Sequence, residues 1–471
     1  MEGWTDGILA LSKRSNNQLT LAFGEAAKGT SPGCDAGRTE LDGAETETGH
    51  PAAQAVALME RIVARDNLRK ALKRVRENKG AAGIDGMSVD DLALYLKEHW
   101  PAIRTRLLDG SYKPQPVRRV EIPKPGGGKR PLGIPGVLDR FIQQAVMQVL
   151  QEDWDETFSS SSYGFRPGRS AHQAVVAAQG FIASGRGVVV DIDLEKFFDR
   201  VNHDILMGLV SKRVSDPPVL RLIRGFLTSG VLADGLVGPT DEGVPQGGPL
   251  SPLLSNLMLN ELDKELEQRG HRFARYADDC NIYVCSERAG LRVMASVERF
   301  LERRLKLKIN RQKSQVARPH RRKFLGFSFT SGTDPKRCVA PQALNRFKAR
   351  VRGLTRRTGG KSLVQTVEDL SPYLTGWRGY FGFCQTPSVL RDLDSWIRRR
   401  LRAIVWKQGK RGRTRFNMLL KRGIDRKLAA QTAGSSHGPW CIAKSQALHM
   451  AFPNALFQRI GLPSIAAAKT A

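Results

Sequence analysis

The 471-residue sequence predicts an α+β protein in which a small antiparallel sheet carries acidic residues and a basic helical module follows it. Three observations point there. Asp278 and Asp279 lie between two strand-like apolar runs, residues 273–276 and 281–284, which can pair as a hairpin with the acids at its tip. A β-branched run, residues 188–190, leads through Asp191 and Ile192 to deliver a second acid, Asp193, to the end of a buried strand. Beyond Val339 the chain turns helical, and residues 344–429 hold 22 Lys or Arg against five Asp or Glu.

The elements read in order as follows. Residues 1–57 are rich in Gly, Ala, Thr and Glu and carry four basic against eight acidic side chains. Such a stretch reads as a poorly ordered acidic extension, with a short helical piece near residues 7–11. From Ala55 the pattern becomes helical, with Leu58, Met59, Ile62, Val63, Leu68, Leu72 and Val75 recurring mostly at three- and four-residue spacing. Residues 78–86 form a glycine-punctuated loop, and Ser88 to Asp91 resembles the cap of the next helix. Residues 112–330 mix short strands with helices. After Val339 the aromatics Trp377, Tyr380, Phe381, Trp396 and Trp406 are interleaved with charge. That combination suits RNA, whose bases stack and whose phosphates demand cations. Most of these rings are expected in the core and most of the arginines facing RNA.

Composition narrows the partner. Lys plus Arg number 75 against 46 Asp plus Glu, a formal net charge of +29. Such self-repulsion calls for an anionic partner, and nucleic acid leads. A membrane-surface role is weakened by the lack of any apolar run of about 18 residues and of a secretory leader. The six cysteines show no paired C-x-x-C spacing, as expected of reduced thiols in a cytoplasmic protein.

Adjacent aspartates on a turn repel each other and contribute nothing to a core, but become useful when a divalent cation neutralises them. A carboxylate from each acidic segment meeting over Mg²⁺ is the minimum apparatus for nucleotidyl transfer. The surrounding blocks agree in type and order. They are Ile122-Pro123-Lys124-Pro125 with Lys129-Arg130-Pro131-Leu132-Gly133, then Ser162-Tyr163-Gly164-Phe165-Arg166-Pro167-Gly168-Arg169-Ser170, then Asp193-Leu194-Glu195-Lys196-Phe197-Phe198-Asp199. Gly243-Val244-Pro245-Gln246-Gly247-Gly248-Pro249, Tyr276-Ala277-Asp278-Asp279, Asn310-Arg311-Gln312-Lys313-Ser314 and Phe324-Leu325-Gly326-Phe327-Ser328-Phe329 follow. This series resembles the bacterial group II intron reverse transcriptase/maturase family, from about Asn67 to the end.

The resemblance implies a right-hand polymerase: fingers and a palm with an antiparallel sheet, then a helical thumb and maturase domain. It divides the chain into the extension 1–57, a helical N-terminal extension 58–110, fingers and palm 111–332, thumb/maturase 340–408 and a basic DNA-binding-like region 409–471. Residues 58–110 resemble a template-contacting extension, though a purely structural helical lead-in fits them equally. No His-Asn-His endonuclease with cysteine pairs follows, so the endonuclease-lacking type is expected.

Carried onto this chain, the family's catalytic carboxylates are Asp193, Asp278 and Asp279, holding two Mg²⁺ ions. Strand alternation puts Asp191 on the same face as Asp193, so spacing does not exclude it; the family pattern does. Lys124 and Arg130 flank a glycine turn and can close over a triphosphate, Arg binding two oxygens at once. Phe198 is the ring that would crowd a 2′-hydroxyl, Gln246 the side chain along the incoming nucleotide, and Lys313 a basic position near nucleotide or primer phosphate. Arg166, Arg169, Arg398, Arg399, Arg400 and Arg402 are expected on RNA, and Leu325 and Gly326 in a primer grip. The implied function is RNA-directed DNA synthesis with splicing assistance and retrohoming. The partners are intron RNA, an RNA template with its DNA primer, target DNA and dNTPs, with no membrane; the oligomeric state stays open. The rivals are an RNA-binding maturase without polymerase activity and a domesticated enzyme of defence or DNA repair.

Overall fold

The computed structural model describes residues 58–123, 129–233, 236–238, 240, 242–357 and 359–466. The expected acidic extension 1–57, Lys124 and the glycine turn beside it lie outside the described residues. The chain divides into two compact units, Met1–Arg318 and Pro319–Ala471. The division precedes the block at Phe324, which folds with the second unit.

In the first unit, α1 (Arg65–Asn78) and α2 (Leu92–Leu108) form the helical lead-in. Leu92 is wholly buried, and Ser88 and Asp91 bond to each other just ahead of it. Strands β1 (Val117–Pro123) and β2 (Lys129–Ile134) pair antiparallel, Pro123 opposite Lys129. Next come α3 (Val137–Trp154), α4 (Ala171–Ala183), β3 (Val188–Ile192), α5 (His203–Ser211) and α6 (Pro217–Thr228). A capping box between Ser170 and Gln173 starts α4. Strands β4 (Val231–Ala233) and β5 (Leu236–Gly238) complete a sheet of order β2-β1-β4-β5.

Helix α7 (Ser251–Gln268), the hairpin β6 (Arg272–Tyr276) and β7 (Asp279–Val284), α8 (Glu287–Phe300) and β8 (Gln315–Ala317) build the acid-bearing sheet. Its order is β6-β7-β3-β8, antiparallel throughout. Every residue of β3 is buried, which explains its near-continuous apolar run. One face, with Val188, Val190 and Ile282, belongs to the hydrophobic core. Helix α8 approaches that face closely: a Cβ at Gly290 would lie 2.5 Å from Val316 and 3.5 Å from Val188 and Val190. The opposite face carries Asp191 and Asn281, which are opposed across β3 and β7.

The second unit opens with β9 (Phe327–Phe329) and β10 (Arg337–Val339), an antiparallel pair. Helices α9 (Pro341–Leu354), α10 (Leu363–Phe381) and α11 (Pro387–Gln408) follow, then α12 (Gly412–Lys421) and α13 (Arg426–Ala433) and three short helices. Phe347, Trp377, Phe381 and Trp406 are buried. Among the described residues no helix is long and apolar enough to cross a membrane.

Candidate active site

The acidic hairpin is tighter than the sequence reading has it, its second strand starting at 279 rather than 281. Ala277 and Asp278 make the two-residue turn, and Asp279 opens β7 opposite Tyr276. Ala277 has φ +57°, a left-handed conformation that costs an alanine energy and needs support from its surroundings. In the β3–β7 register Ile192 faces Cys280, so Asp193, the next residue along, arrives beside Asp279. The two acidic segments, far apart in sequence, therefore meet.

Backbone bonds hold Asp193 in place. Its N–H donates to Ser314 Oγ at 2.9 Å, and that hydroxyl donates back to the Asp193 carbonyl at 3.2 Å. The same carbonyl accepts the Asn310 N–H at 2.8 Å, while the Glu195 N–H reaches Lys308 at 2.8 Å. Ser314 was in a recognised block without a role; its hydroxyl becomes meaningful once residues 308–314 run beside Asp193.

The electrostatics are those of crowded acids. Asp279 has its carboxyl pushed well above the usual carboxylate range, chiefly by burial, then by Asp191, Asp278 and Asp193. Its Oδ1 is shut off from solvent and has no hydrogen-bond partner. Among the described residues no three acidic, imidazole or thiol side chains could by themselves hold an ion. Mg²⁺ is ordinarily held by one or two carboxylates with substrate phosphates supplying other ligands. Asp193 and the Asp278–Asp279 pair offer carboxylates of that kind. Asp191 is buried within β3, opposite Asn281 and Gln315, and acts on Asp279 through its charge.

Two further segments converge here. The N–H of Val244 donates to the carbonyl of Phe198 at 2.6 Å, and that of Gly243 to Val201 at 2.8 Å. The Gly133 N–H donates to the carbonyl of Gln246 at 2.9 Å. Gly247, at φ +134°, passes so close to β2 that a Cβ would lie 2.5 Å from the Gly133 carbonyl. The loop holding Gln246 is thus fastened both to β2 and to the segment after Asp193. Gln246 itself is half-buried, and Phe198 is buried against Phe197 with ring centroids 5.2 Å apart. Arg130 lies in β2 opposite Ile122, while Lys129 is exposed and paired with Glu121 at 2.7 Å. Lys313 is exposed.

Several expected RNA contacts are turned inward instead. Arg166 is buried, and its five N–H groups go to the Asp155 carboxylate and carbonyl and to the carbonyls of Ser159 and Ser162. No donor remains for a phosphate, so Arg166 leaves the RNA-facing set. Arg402 is likewise buried, bonded to the Phe452 carbonyl and Asn454 and lying over Phe457. Arg399 stacks 3.8 Å from the centre of the Trp440 ring and donates twice to that residue's carbonyl. Arg400 binds Thr355 and lies over Trp396. A run of arginines reads as a charged face in sequence, yet on a helix it points to several sides, and here three of four brace their own unit. Arg398 is half-buried; Arg169 is half-buried over Tyr163, with one bond to Ser160. Exposed cations do remain in this unit, among them Arg350, Arg356, Arg357, Arg411 and Arg413.

Leu325 and Gly326 form the two-residue loop of a hairpin closed by Phe324 and Phe327, with φ +52° and +81°. Gly326 is thus required by the turn. The Leu325 carbonyl accepts the Tyr380 hydroxyl at 2.8 Å.

Residues 122–329 match the model of the reverse transcriptase (RNA-dependent DNA polymerase) family, and residues 344–423 that of the group II intron maturase-specific domain. The chain is 34% identical to protein YkfC of Escherichia coli (strain K12) over 311 residues, 57% of this chain and 81% of that protein. It is 39% identical to the group II intron-encoded protein LtrA of Lactococcus lactis subsp. cremoris over 206 residues, 44% of this chain but 34% of LtrA. Among solved structures, telomerase from Candida albicans matches 63% of this chain and 60% of its own at 12% identity, with a TM-score of 0.39.

Proposed function

The chain belongs to the group II intron reverse transcriptase and maturase family, and from that premise we propose that it copies intron RNA into DNA and binds the intron to assist its splicing and retrohoming. The observation that carries this reading is the register that brings Asp193 beside the Asp278–Asp279 turn.

In this reading Asp193, Asp278 and Asp279 hold the divalent ions that the family uses. When bound, two Mg²⁺ would activate the primer 3′-hydroxyl and neutralise the departing pyrophosphate. The chain's own part is positional. Asp279 is buried among like charges, a repulsion that a bound cation would offset, and Ser314 fixes the backbone of Asp193. Gln246 lies along the incoming dNTP on a loop tied to β2, and Phe198 beneath the sugar excludes a 2′-hydroxyl. Lys124 and Arg130 on the fingers hairpin, with Lys313, meet triphosphate or primer phosphate. Residues 58–110 serve as the template-side extension of fingers and palm. The domain 340–408 serves as thumb and maturase, Leu325 and Gly326 shape the primer grip, and the basic region 409–471 faces target DNA. Exposed cations of the second unit carry the RNA affinity, joined by half-buried Arg398 and, in the first unit, by half-buried Arg169. The cytoplasm is the compartment where such a protein would meet its intron.

Primer extension on an RNA template with Mg²⁺ and dNTPs tests the reading. Wild-type protein should extend the primer, and Asp278→Asn should reduce incorporation by at least about 10³-fold while RNA affinity changes by less than about twofold. Tight intron binding without any incorporation by wild type would leave an RNA-binding maturase in place of a polymerase.

A further inference from the structure

Arg275 is wholly buried in β6 as its penultimate residue, three residues before the turn aspartate Asp278. An arginine has five N–H groups in a rigid fork, and here each has an acceptor. Nε and Nη2 clamp the Asp263 carboxylate of α7 at 2.7 and 2.5 Å. Nη2 also donates to Ser162 Oγ at 2.8 Å. Nη1 donates to Asn256 Oδ1 at 3.1 Å and to the Ala277 carbonyl at 2.9 Å.

Charge neutralisation accounts for Asp263 alone. Of the other three bonds, one goes to the turn itself and one to Asn256, which is tied to the segment beneath the turn. Ala277 is the left-handed residue preceding Asp278, and its carbonyl is held by the buried guanidinium. Asn256, one of the residues that Nη1 contacts, donates through its own amide to the Gly164 carbonyl at 2.8 Å. Gly164 in turn lies directly beneath the turn: a Cβ there would be 2.4 Å from the Ala277 nitrogen. The turn is therefore gripped through its carbonyl from one direction and backed by bare glycine from another.

We propose that Arg275 is a positioning residue, acting through the Ala277 carbonyl to hold Asp278 and Asp279 at the spacing a divalent cation requires. The role rests on the reading of those aspartates as metal ligands. Arg275 does not touch substrate or metal. It transmits the position of helix α7, through Asp263 and Asn256, to the turn that presents the carboxylates. A purely stabilising ion pair would satisfy Asp263 and leave the metal affinity of the turn unaffected.

Two variants test this. Arg275→Lys keeps a charge beside Asp263 but lacks the fork that also reaches Ala277. Gly164→Ala leaves the Arg275–Asp263 pair intact and presses a methyl group against Ala277. Each is measured by thermal unfolding and by Mn²⁺ binding followed by electron paramagnetic resonance, with template–primer and a non-hydrolysable dNTP present. Primer extension across a Mg²⁺ series completes the set. Both variants should need at least about fivefold more Mn²⁺ or Mg²⁺ for half-saturation and lose about tenfold or more in kcat, with the dNTP KM at saturating Mg²⁺ within about threefold. The proposal is overturned if Gly164→Ala, folded as judged by its melt, binds Mn²⁺ and responds to Mg²⁺ as wild type does. It is equally overturned by a folded Arg275→Lys with unchanged metal dependence. If Arg275→Lys fails to fold, Gly164→Ala decides alone. Absence of polymerisation by wild type would defeat the functional reading, while the Mn²⁺ titration would still report on Arg275.

Discussion

Ser314→Ala removes one hydroxyl and should weaken both the fold and the chemistry. The Asp193 N–H loses its acceptor, whereas the Asp193 carbonyl keeps the bond from the Asn310 N–H. One buried donor is thus left unpaired, at a cost of about 1–3 kcal/mol. In a domain of roughly 150–250 residues each kcal/mol moves Tm by about 2–4 °C, so a fall of about 2–12 °C is expected. The functional effect should exceed what that loss alone implies. A displacement of about 1 Å at a reacting group can cost about 10²-fold in rate, so kcat should fall about 10- to 100-fold with a smaller change in dNTP KM. Single-nucleotide incorporation at saturating dNTP, beside a circular-dichroism melt in chelator, measures both. Ser314→Thr keeps a hydroxyl at the same place and should restore most of the loss. A Ser314→Ala protein whose Tm lies within about 1 °C of wild type and whose kcat is unchanged would refute the argument that this hydroxyl holds Asp193.

The remaining expectations concern selectivity, stability and pH. Phe198→Ala should raise the ratio of ribonucleotide to deoxyribonucleotide incorporation by about tenfold or more; an unchanged ratio would make the ring ordinary packing. Arg166→Ala breaks a buried pair worth about 3–5 kcal/mol and should lower Tm by at least about 6 °C, while the salt dependence of RNA binding stays as in wild type. A flattened salt slope without destabilisation would return Arg166 to the RNA surface. Burial pushes the Asp139 carboxyl up from 3.8 to about 6, although Tyr112 and Gln115 hydrogen bonds oppose the rise. The unfolded chain ionises first, so this group's contribution to stability is lost as pH climbs from about 4 past 6, by about 3 kcal/mol in all. Asp139→Asn cannot ionise, and its melting temperature relative to wild type should therefore rise between pH 4 and pH 7.5. A constant difference over that range would show that Asp139 is not held as described.

Apolar runs and turn chemistry were enough to place the acid-bearing hairpin, because strands buried on both faces read as near-continuous apolar segments. They located residues 188–192 as a buried strand and put the acids at its end and at the hairpin tip. The motif order then named the family, and the helical character of the C-terminal part followed from its apolar spacing. What local pattern could not supply was partnership. Arg275 shares a face with Phe273 in a strand otherwise apolar on that side, a signal that a charge is buried, but nothing nearby in sequence names Asp263, Asn256 or Ser162 as its partners. Arg166 and Arg402 looked like free cations because a guanidinium bound to distant carbonyls is indistinguishable, in sequence, from one facing solvent.

The sequence by itself determined the type of protein: its acids, their order among the blocks, the surplus of positive charge and the periods of strand and helix are all local properties. Tertiary structure decided which charges remain available. Burial removes water from a polar group and forces it to find a protein partner, and that partner is chosen by chain segments that meet only after folding. Hence the same residue type is proposed as metal ligand at Asp278, yet serves as internal counterion at Asp263 and as acceptor for an inward-turned arginine at Asp155.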